Sequence, residues 1–270
     1  MALMNPVGSY DSHDISTLIR AIGEPAFGVE LLGFLNKVCG AEHCAIFDWH
    51  GEAPRQRVAI SHDGSSQAYR RTSQYLSTGL WQDDLAFKCT RDQVSSRTPS
   101  IQRIDIRDLP HNDLRHIIYE LSHVRQRLLL CGDGNRNGPV LSILRGERRG
   151  CVSESETAAL ESVSVTLLSI LGKQNEIAWQ RDRLSSALSS LETIEACIQK
   201  APEGLPRRET EVCARIVYGI STIGIALDLD IGEQTVTTYR KRAYQRLGIG
   251  SQRELLTWYM ERWALHSTIH

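Results

Sequence analysis

The sequence lacks most of the signals that settle a function quickly. Its net charge is −1, from 31 basic and 32 acidic residues, so total charge neither favours nor excludes a nucleic-acid partner. Only the distribution of charge along the chain can. No apolar run approaches the roughly eighteen residues of a membrane helix, and MALMNPVGSYDSHD has no basic-then-apolar secretion pattern. A cytoplasmic protein with no membrane partner is expected. The seven cysteines (Cys39, Cys44, Cys89, Cys131, Cys151, Cys197, Cys213) are scattered and without CxxC spacing, which points to free, buried thiols. Cys39, His43 and Cys44 make a poor metal set, because His43 and Cys44 enter an apolar strand-like run. There is no nucleophile motif, phosphate-cradling glycine loop or paired-acid arrangement, so neither enzymatic activity nor a cofactor or metal is expected.

What is present is a composition able to build cores, 41% hydrophobic and 23% charged, over 270 residues, a length that suits two domains. Ile15, Leu18, Ile19 and Ile22 fall at helical spacing, with Asp11, Ser12 or Asp14 available as caps. A second helix follows Pro25, with Phe27, Leu31, Leu32, Leu35 and Val38 on one face and Gly40 to close it. The period then changes: HCAIFDW (43–49) and RVAIS (57–61) are strand-like. A helix is expected from Gln67 to about Leu80, then an irregular stretch over 83–113, then a helix over 113–122. RLLLC (127–131) and VLSIL (140–144) form a hairpin across GDGNRNG. This order predicts an antiparallel sheet with helices on its faces, an α/β sandwich that resembles PAS- and GAF-like sensor domains in element order alone.

Ser153 and Glu156 make a capping box that opens a long helix. Val163, Ile170, Ile177, Leu184, Leu191 and Ile198 recur every seven residues without a break. The first half suits packing on the preceding domain. The second half suits either pairing with a second copy of the chain or folding back on its own domain. Pro202 and Gly204 end the helix and mark a linker. The expected organisation is α+β: a sensor or ligand-binding-like domain over 1–175, a helical connector and linker over 176–204, and an all-α four-helix domain over 205–270.

That last stretch organises the rest. A first helix begins near Pro206, with Glu209 and Glu211 at its positive end and Gly219 as its stop. Ser221 caps a second helix that carries Ile223, Ile225 and Ala226. The third runs from about Glu233 to Leu247. Val236, Tyr239, Ala243 and Leu247 share one face and point at a core, which leaves Gln234, Thr237, Thr238, Lys241, Arg242 and Gln245 opposite. From Arg240 to Arg253 there are five basic residues and no acid, so a positive field is local to this helix. Ser251 and Glu254 cap a fourth. Two short helices around a tight turn, the second basic on its outside, is the pattern of a helix-turn-helix.

The matching residues Leu205, Arg208-Glu209, Glu211-Val212, Gly219, Ser221, Ile225-Ala226, Leu229, Ile231, Thr235-Val236, Leu247-Gly248-Ile249 and Ser251 resemble the C-terminal DNA-binding domain of the LuxR (GerE-like) family of bacterial transcription regulators. The resemblance implies a sequence-specific regulator, activator or repressor. Its third helix would enter the major groove of double-stranded promoter or operator DNA. Base and phosphate contacts then fall on Thr235, Thr237, Thr238 and Lys241, with Arg240, Arg242 and Arg246 on the backbone. A homodimer on two half-sites and a contact with RNA polymerase are further implied partners. The sequence departs from the family at Gly224, usually Glu, at Thr237, usually Lys, and at Tyr239, often His. The preferred operator is therefore not carried over.

The N-terminal part has no receiver-type signature, so a small-molecule effector is the expected signal. Tyr75 followed nine residues later by Asp84 copies the spacing of the family's acyl-homoserine-lactone-contacting pair, which adds Trp81 as an aromatic candidate. Arg71 and Pro99 stand where that signature has tryptophans, and Leu85 where it has proline. Tyr75 and Trp81 are thus either ligand contacts or core aromatics, with Asp84 a loop cap. The alternatives to an effector-controlled regulator are a lactone receptor of the quorum-sensing type and a partner-controlled interaction protein with a weak DNA module.

Overall fold

The computed structural model describes residues 10–132, 134–135 and 137–266. The chain folds as two units, Met1–Ala178 and Trp179–His270.

The first unit opens with α1 (Ser12–Arg20) and α2 (Phe27–Cys39). Asp11 accepts from Asp14 N at 2.9 Å and Asp14 accepts from Asp11 N at 3.2 Å, so the first turn of α1 satisfies its own orphan donors. α2 stops at Gly40, whose φ of +65° is a left-handed turn that glycine makes without strain. There follow β1 (His43–His50), β2 (Ala53–Ser61), α3 (Gln67–Ser77), α4 (Leu85–Gln93) and β3 (Ser100–Asp105). A π-helical turn, Arg115–Glu120, leads into β4 (Val124–Cys131) and β5 (Val140–Gly146), and α5 spans Glu154–Ala187. The strands form one antiparallel sheet in the order β2-β1-β5-β4-β3. A period of two sorts their side chains. Cys44, Ile46, Leu128, Leu130, Leu141 and Ile143 face α1, α2 and the first half of α5. Ala45, Phe47, Trp49, Leu129, Cys131 and Val140 face Tyr75, Phe87, Ile118 and Tyr119 on the other side. The result is the expected sandwich.

Two expectations fail. Residues 83–113 are not irregular throughout, because they hold α4 and β3, and the sheet has five strands rather than four. α4 buries only Phe87 and Thr90 and leaves Leu85 73% exposed, so it has no apolar stripe to read. β3 is half-buried along most of its length and is defined by pairing with β4 rather than by alternation. The second failure is the long helix. α5 ends at Ala187, and Ser190 caps a separate α6 (Leu191–Gln199) by accepting from Thr193 N at 3.1 Å. The seven-residue repeat therefore crosses a break. Ala187, Ile194 and Ile198 are 0% exposed inside the core of the second unit. Burying an isoleucine stabilises by roughly 1.5–3 kcal/mol, and no apolar surface is left on these residues for a second copy.

α6 is followed by α7 (Arg207–Tyr218), α8 (Thr222–Leu229), α9 (Glu233–Leu247) and α10 (Gln252–His266). Residues 200–204, expected as a plain linker, are packed. Ala201 is 5% exposed. Glu203 Oε1 accepts from Trp258 Nε1 at 3.1 Å and pairs with Arg262 Nη2 at 2.6 Å. Tyr259 OH donates to the Ala187 carbonyl, which ties the end of α5 to α10. Arg215 joins three helices, pairing with Glu195 at 2.6 Å and Asp228 at 2.5 Å.

No helix among the described residues is long and apolar enough to cross a membrane. The cysteines are free, and all but Cys89 and Cys151 are buried. Burial pushes the Cys39, Cys44 and Cys213 thiols up to about 12, which keeps them protonated and unreactive.

Candidate nucleic-acid interface and effector cleft

In the second unit, α8 and α9 meet at a turn built from local signals. Ser221 Oγ accepts from Gly224 N at 3.2 Å, which starts α8. Gly224 is thus a first-turn donor rather than an interior glycine. A Cβ there would lie 2.8 Å from Ile220 Cγ2, so a larger residue needs Ile220 to move. Asp230 closes the helix in the left-handed region (φ +52°), a conformation aspartate tolerates better than most residues. Gly232 then starts α9 with no side-chain cap.

α9 turns Val236 and Ala243 into the core, 1% and 0% exposed, with Tyr239 and Leu247 half-buried beside them. Thr235, Thr238, Lys241 and Arg242 lie on its exposed side; Thr237 and Arg240 are half-buried at the margin. Thr238 Oγ1 donates to Gln234 O at 2.8 Å. Several other basic residues of the unit are ion-paired. Arg207 and Arg208 each bond Glu211 at 2.8 Å, and Arg246 pairs at 3.1 Å with Glu209, which is 4% exposed. Glu209 and Glu211 were expected simply to favour the N-terminus of α7; they serve as counter-ions. Arg240, Lys241 and Arg242 have no hydrogen bond or ion pair among the described residues. The positive field of Arg240, Lys241 and Arg242 is therefore uncompensated, and among the cations of the expected set only Arg246 is ion-paired among the described residues.

In the first unit, the sheet face beneath α3 and the π-helical turn holds a buried polar network. Strand alternation places Arg127 on the same face as Leu129 and Cys131, 2% exposed. Arg127 Nη1 donates to Asp84 Oδ2 at 2.5 Å, its Nε donates to Ser142 Oγ at 2.9 Å, and its guanidinium lies 5.6 Å from the Tyr75 and Phe87 ring centroids. Burial opposes the charge on Arg127; Asp84 first, then Tyr75 and Tyr119, outweigh it and keep the guanidinium protonated. Tyr75 OH donates to Asp84 Oδ2 at 2.9 Å, and burial pushes its hydroxyl far above the ordinary range. Asp84 Oδ1 accepts from Phe87 N at 3.0 Å and so caps α4.

Above this network lies a small, mostly apolar cleft of about 40 Å3, with Arg71, Thr72, Tyr75, Ile118 and Arg127 in its wall. The three expected ligand contacts are not all assembled there. Tyr75 lines the cleft and meets Asp84, but Asp84 is spent on the cap, Tyr75 and Arg127. Trp81 stands edge-on to Trp49, 6.1 Å between centroids, in a surface groove with Leu85 and Lys88. Sequence reading missed Arg127, whose only signal was a charged residue in phase with an apolar strand face. It also missed Arg215, which carries no local signal at all.

The family described as "Bacterial regulatory proteins, luxR family" matches residues 203–259. A protein of Aeromonas salmonicida named as an HTH-type transcriptional regulator in the exeN 3′ region is 30% identical over 136 residues, 46% of this chain and 67% of its own length. Among solved structures, the VqsR LBD domain from Pseudomonas aeruginosa covers 61% of this chain and 96% of its own, at 16% identity and a TM-score of 0.43. Escherichia coli SdiA covers 93% of this chain and 97% of its own, at 14% identity and a TM-score of 0.32.

Proposed function

Because the chain belongs to the luxR family of bacterial regulatory proteins and is a DNA-binding transcription regulator, we propose that α9 is its reading helix and that a small molecule in the N-terminal cleft governs it. One observation carries the first part: Lys241 and Arg242 stand exposed and unpaired on a helix whose unit neutralises Arg207, Arg208, Arg215 and Arg246 internally. In the major groove, Thr235, Thr237, Thr238 and Lys241 reach base edges and phosphates, Arg240 and Arg242 hold phosphates, and the three cations set the salt dependence. Arg246 reaches a phosphate only on release from Glu209.

A single such domain makes few base contacts, so the protein acts as a homodimer on two half-sites, with RNA polymerase the further partner at a promoter. Of the late heptad positions, Ala187, Ile194 and Ile198 are already buried, while Leu184 is 53% exposed. A lactone held by Tyr75 and Asp84 has to compete with Arg127 for the same carboxylate, which favours an effector of another kind.

The test is operator binding by fluorescence anisotropy at physiological salt, with the operator selected from random duplexes. Replacing Lys241 and Arg242 by alanine lowers affinity by about a hundredfold and reduces the salt slope by about 2, with circular dichroism unchanged. Unaltered binding by the double variant would sink the assignment.

A further inference from the structure

α8 is apolar on more than the side that faces its core. Its sequence, TIGIALDL, holds a single acid and no base, and a helix that is apolar all round is ordinarily buried all round. Only one side of α8 is. Ile225 and Ala226 are 1% and 7% exposed in the core of the second unit, with Leu229 half-buried beside them. On the outer side Ile223 is 59% exposed and Leu227 78%, the most of any large apolar side chain among the described residues.

Ile223 and Leu227 stand one turn apart and share a face. Gly224 lies between them without a side chain. A Cβ there would meet Ile220 Cγ2 at 2.8 Å, so the half-buried Ile220 lies over the glycine and lengthens the same stripe. Ile220, Ile223, Gly224 and Leu227 thus follow the i, i+3, i+4, i+7 spacing of a packed helix face. The outer faces of the neighbouring helices are built for water: α7 shows Arg207 and Arg208, and α9 shows Thr235, Thr238, Lys241 and Arg242. Single exposed apolar residues are ordinary, but a continuous stripe marks a surface that something covers.

The charges at its ends select what covers it. α8 has no acid in its first turn and no base in its last. Its acids, Asp228 and Asp230, stand at the C-terminal end, where the helix dipole disfavours them. Arg215 relieves Asp228, but Asp230 is exposed with no side-chain partner among the described residues. The stripe therefore runs from a positive end to a negative one, with aliphatic residues of the same kind on both sides of its middle. Such a face is complementary to itself. In a second copy laid antiparallel, each positive end meets the other's Asp230, and Ile223 of one copy meets Leu227 of the other, twice. Gly224, near the middle, allows the two backbones to approach.

Resting on the reading of the protein as a homodimer, we infer that the outer face of α8 is a pairing surface for a second copy of this chain, antiparallel about a two-fold axis between Ile223 and Leu227. The face is short. A helix of 8 residues is about 12 Å long, and a contact of that length falls below the roughly 1,000 Å2 of a stable interface. Pairing in free solution is therefore weak and concentration-dependent, and two half-sites on one duplex reinforce it through effective concentration.

Sedimentation velocity of the full chain without DNA, from micromolar to several hundred micromolar, reads the surface. The parent shifts reversibly to higher mass as concentration rises. Ile223→Lys and Leu227→Glu each weaken association at least tenfold, and because both positions are exposed the Tm stays within about 2 °C of the parent. An equimolar mixture of the two variants associates again, since the antiparallel pair sets the introduced lysine against the introduced glutamate and Leu227 against Ile223. A parent that associates along with both single variants keeps the homodimer and overturns this surface. A mixture that stays apart overturns the second copy as the occupant, and a parent of one mass throughout overturns both surface and homodimer. Operator binding by the Lys241→Ala, Arg242→Ala variant is read separately, so the DNA-binding assignment stands or falls on its own data.

Discussion

Arg127 in the first unit and Lys241 and Arg242 in the second handle their charge in opposite ways. Arg127 is 2% exposed and spends its charge inside the fold, on Asp84, Ser142 and two aromatic faces. Lys241 and Arg242 are exposed and have no side-chain partner among the described residues. A buried charge must be matched where it stands, because desolvation is costly. An exposed one costs little to leave unmatched and is available to a polyanion. The first kind of site organises a domain; the second recognises a partner.

The comparison breaks most sharply at Arg127. Replacing it by methionine leaves the buried Asp84 without its counter-charge, and urea unfolding of the N-terminal unit, followed by Trp49 and Trp81 fluorescence, loses about 3–5 kcal/mol. A loss below about 1 kcal/mol would mean that the pair is not the organising contact. The opposite behaviour is expected at Lys241. Lys241→Ala costs about 1–3 kcal/mol of operator binding and about one unit of salt slope, with stability unchanged within about 0.5 kcal/mol.

Local chemistry in the second unit is tested by Ser221→Ala. Loss of the bond to Gly224 N lowers its unfolding free energy by about 1 kcal/mol, and no change would show that the α8–α9 turn is held by packing alone. The smallest effect is expected from acid. Burial raises the Asp105 carboxyl, but bonds from Arg107 and Cys151 and the charge of Arg125 outweigh it and bring it down to about 2. A folded value below the ordinary 3.8 means that the stabilisation is complete above that pH and is lost as pH falls from there towards the folded value. Tm measured across that window declines less steeply in Asp105→Asn than in the parent; equal slopes would remove Asp105 from the account.

Much of the molecule was legible because its signals are local. The caps of α1, α5 and α8, the glycine stops at Gly40 and Gly219, and the spacing of Val236 and Ala243 in α9 all act within a turn or two of the chain. β1, β4 and β5 were visible through their apolar runs. α4 and β3 were not, because one is held by a single cap and one buried phenylalanine and the other by pairing with a neighbour. The uninterrupted heptads misled for a related reason. A repeat records which positions are apolar, not what they are packed against, and Ser190 ends one helix and starts another within it.

The sequence by itself determined that residues 205–249 form a helix-turn-helix with a basic, threonine-bearing outer face. Helical periodicity and capping are properties of neighbouring residues and need no distant partner. Only the tertiary structure decided which of its cations stay free, since Glu209 reaches Arg246 and Glu195 reaches Arg215 across the fold. It alone brought Arg127 to Asp84, 43 residues away. Whether a polar group is satisfied depends on what burial places beside it, and sequence separation does not encode that.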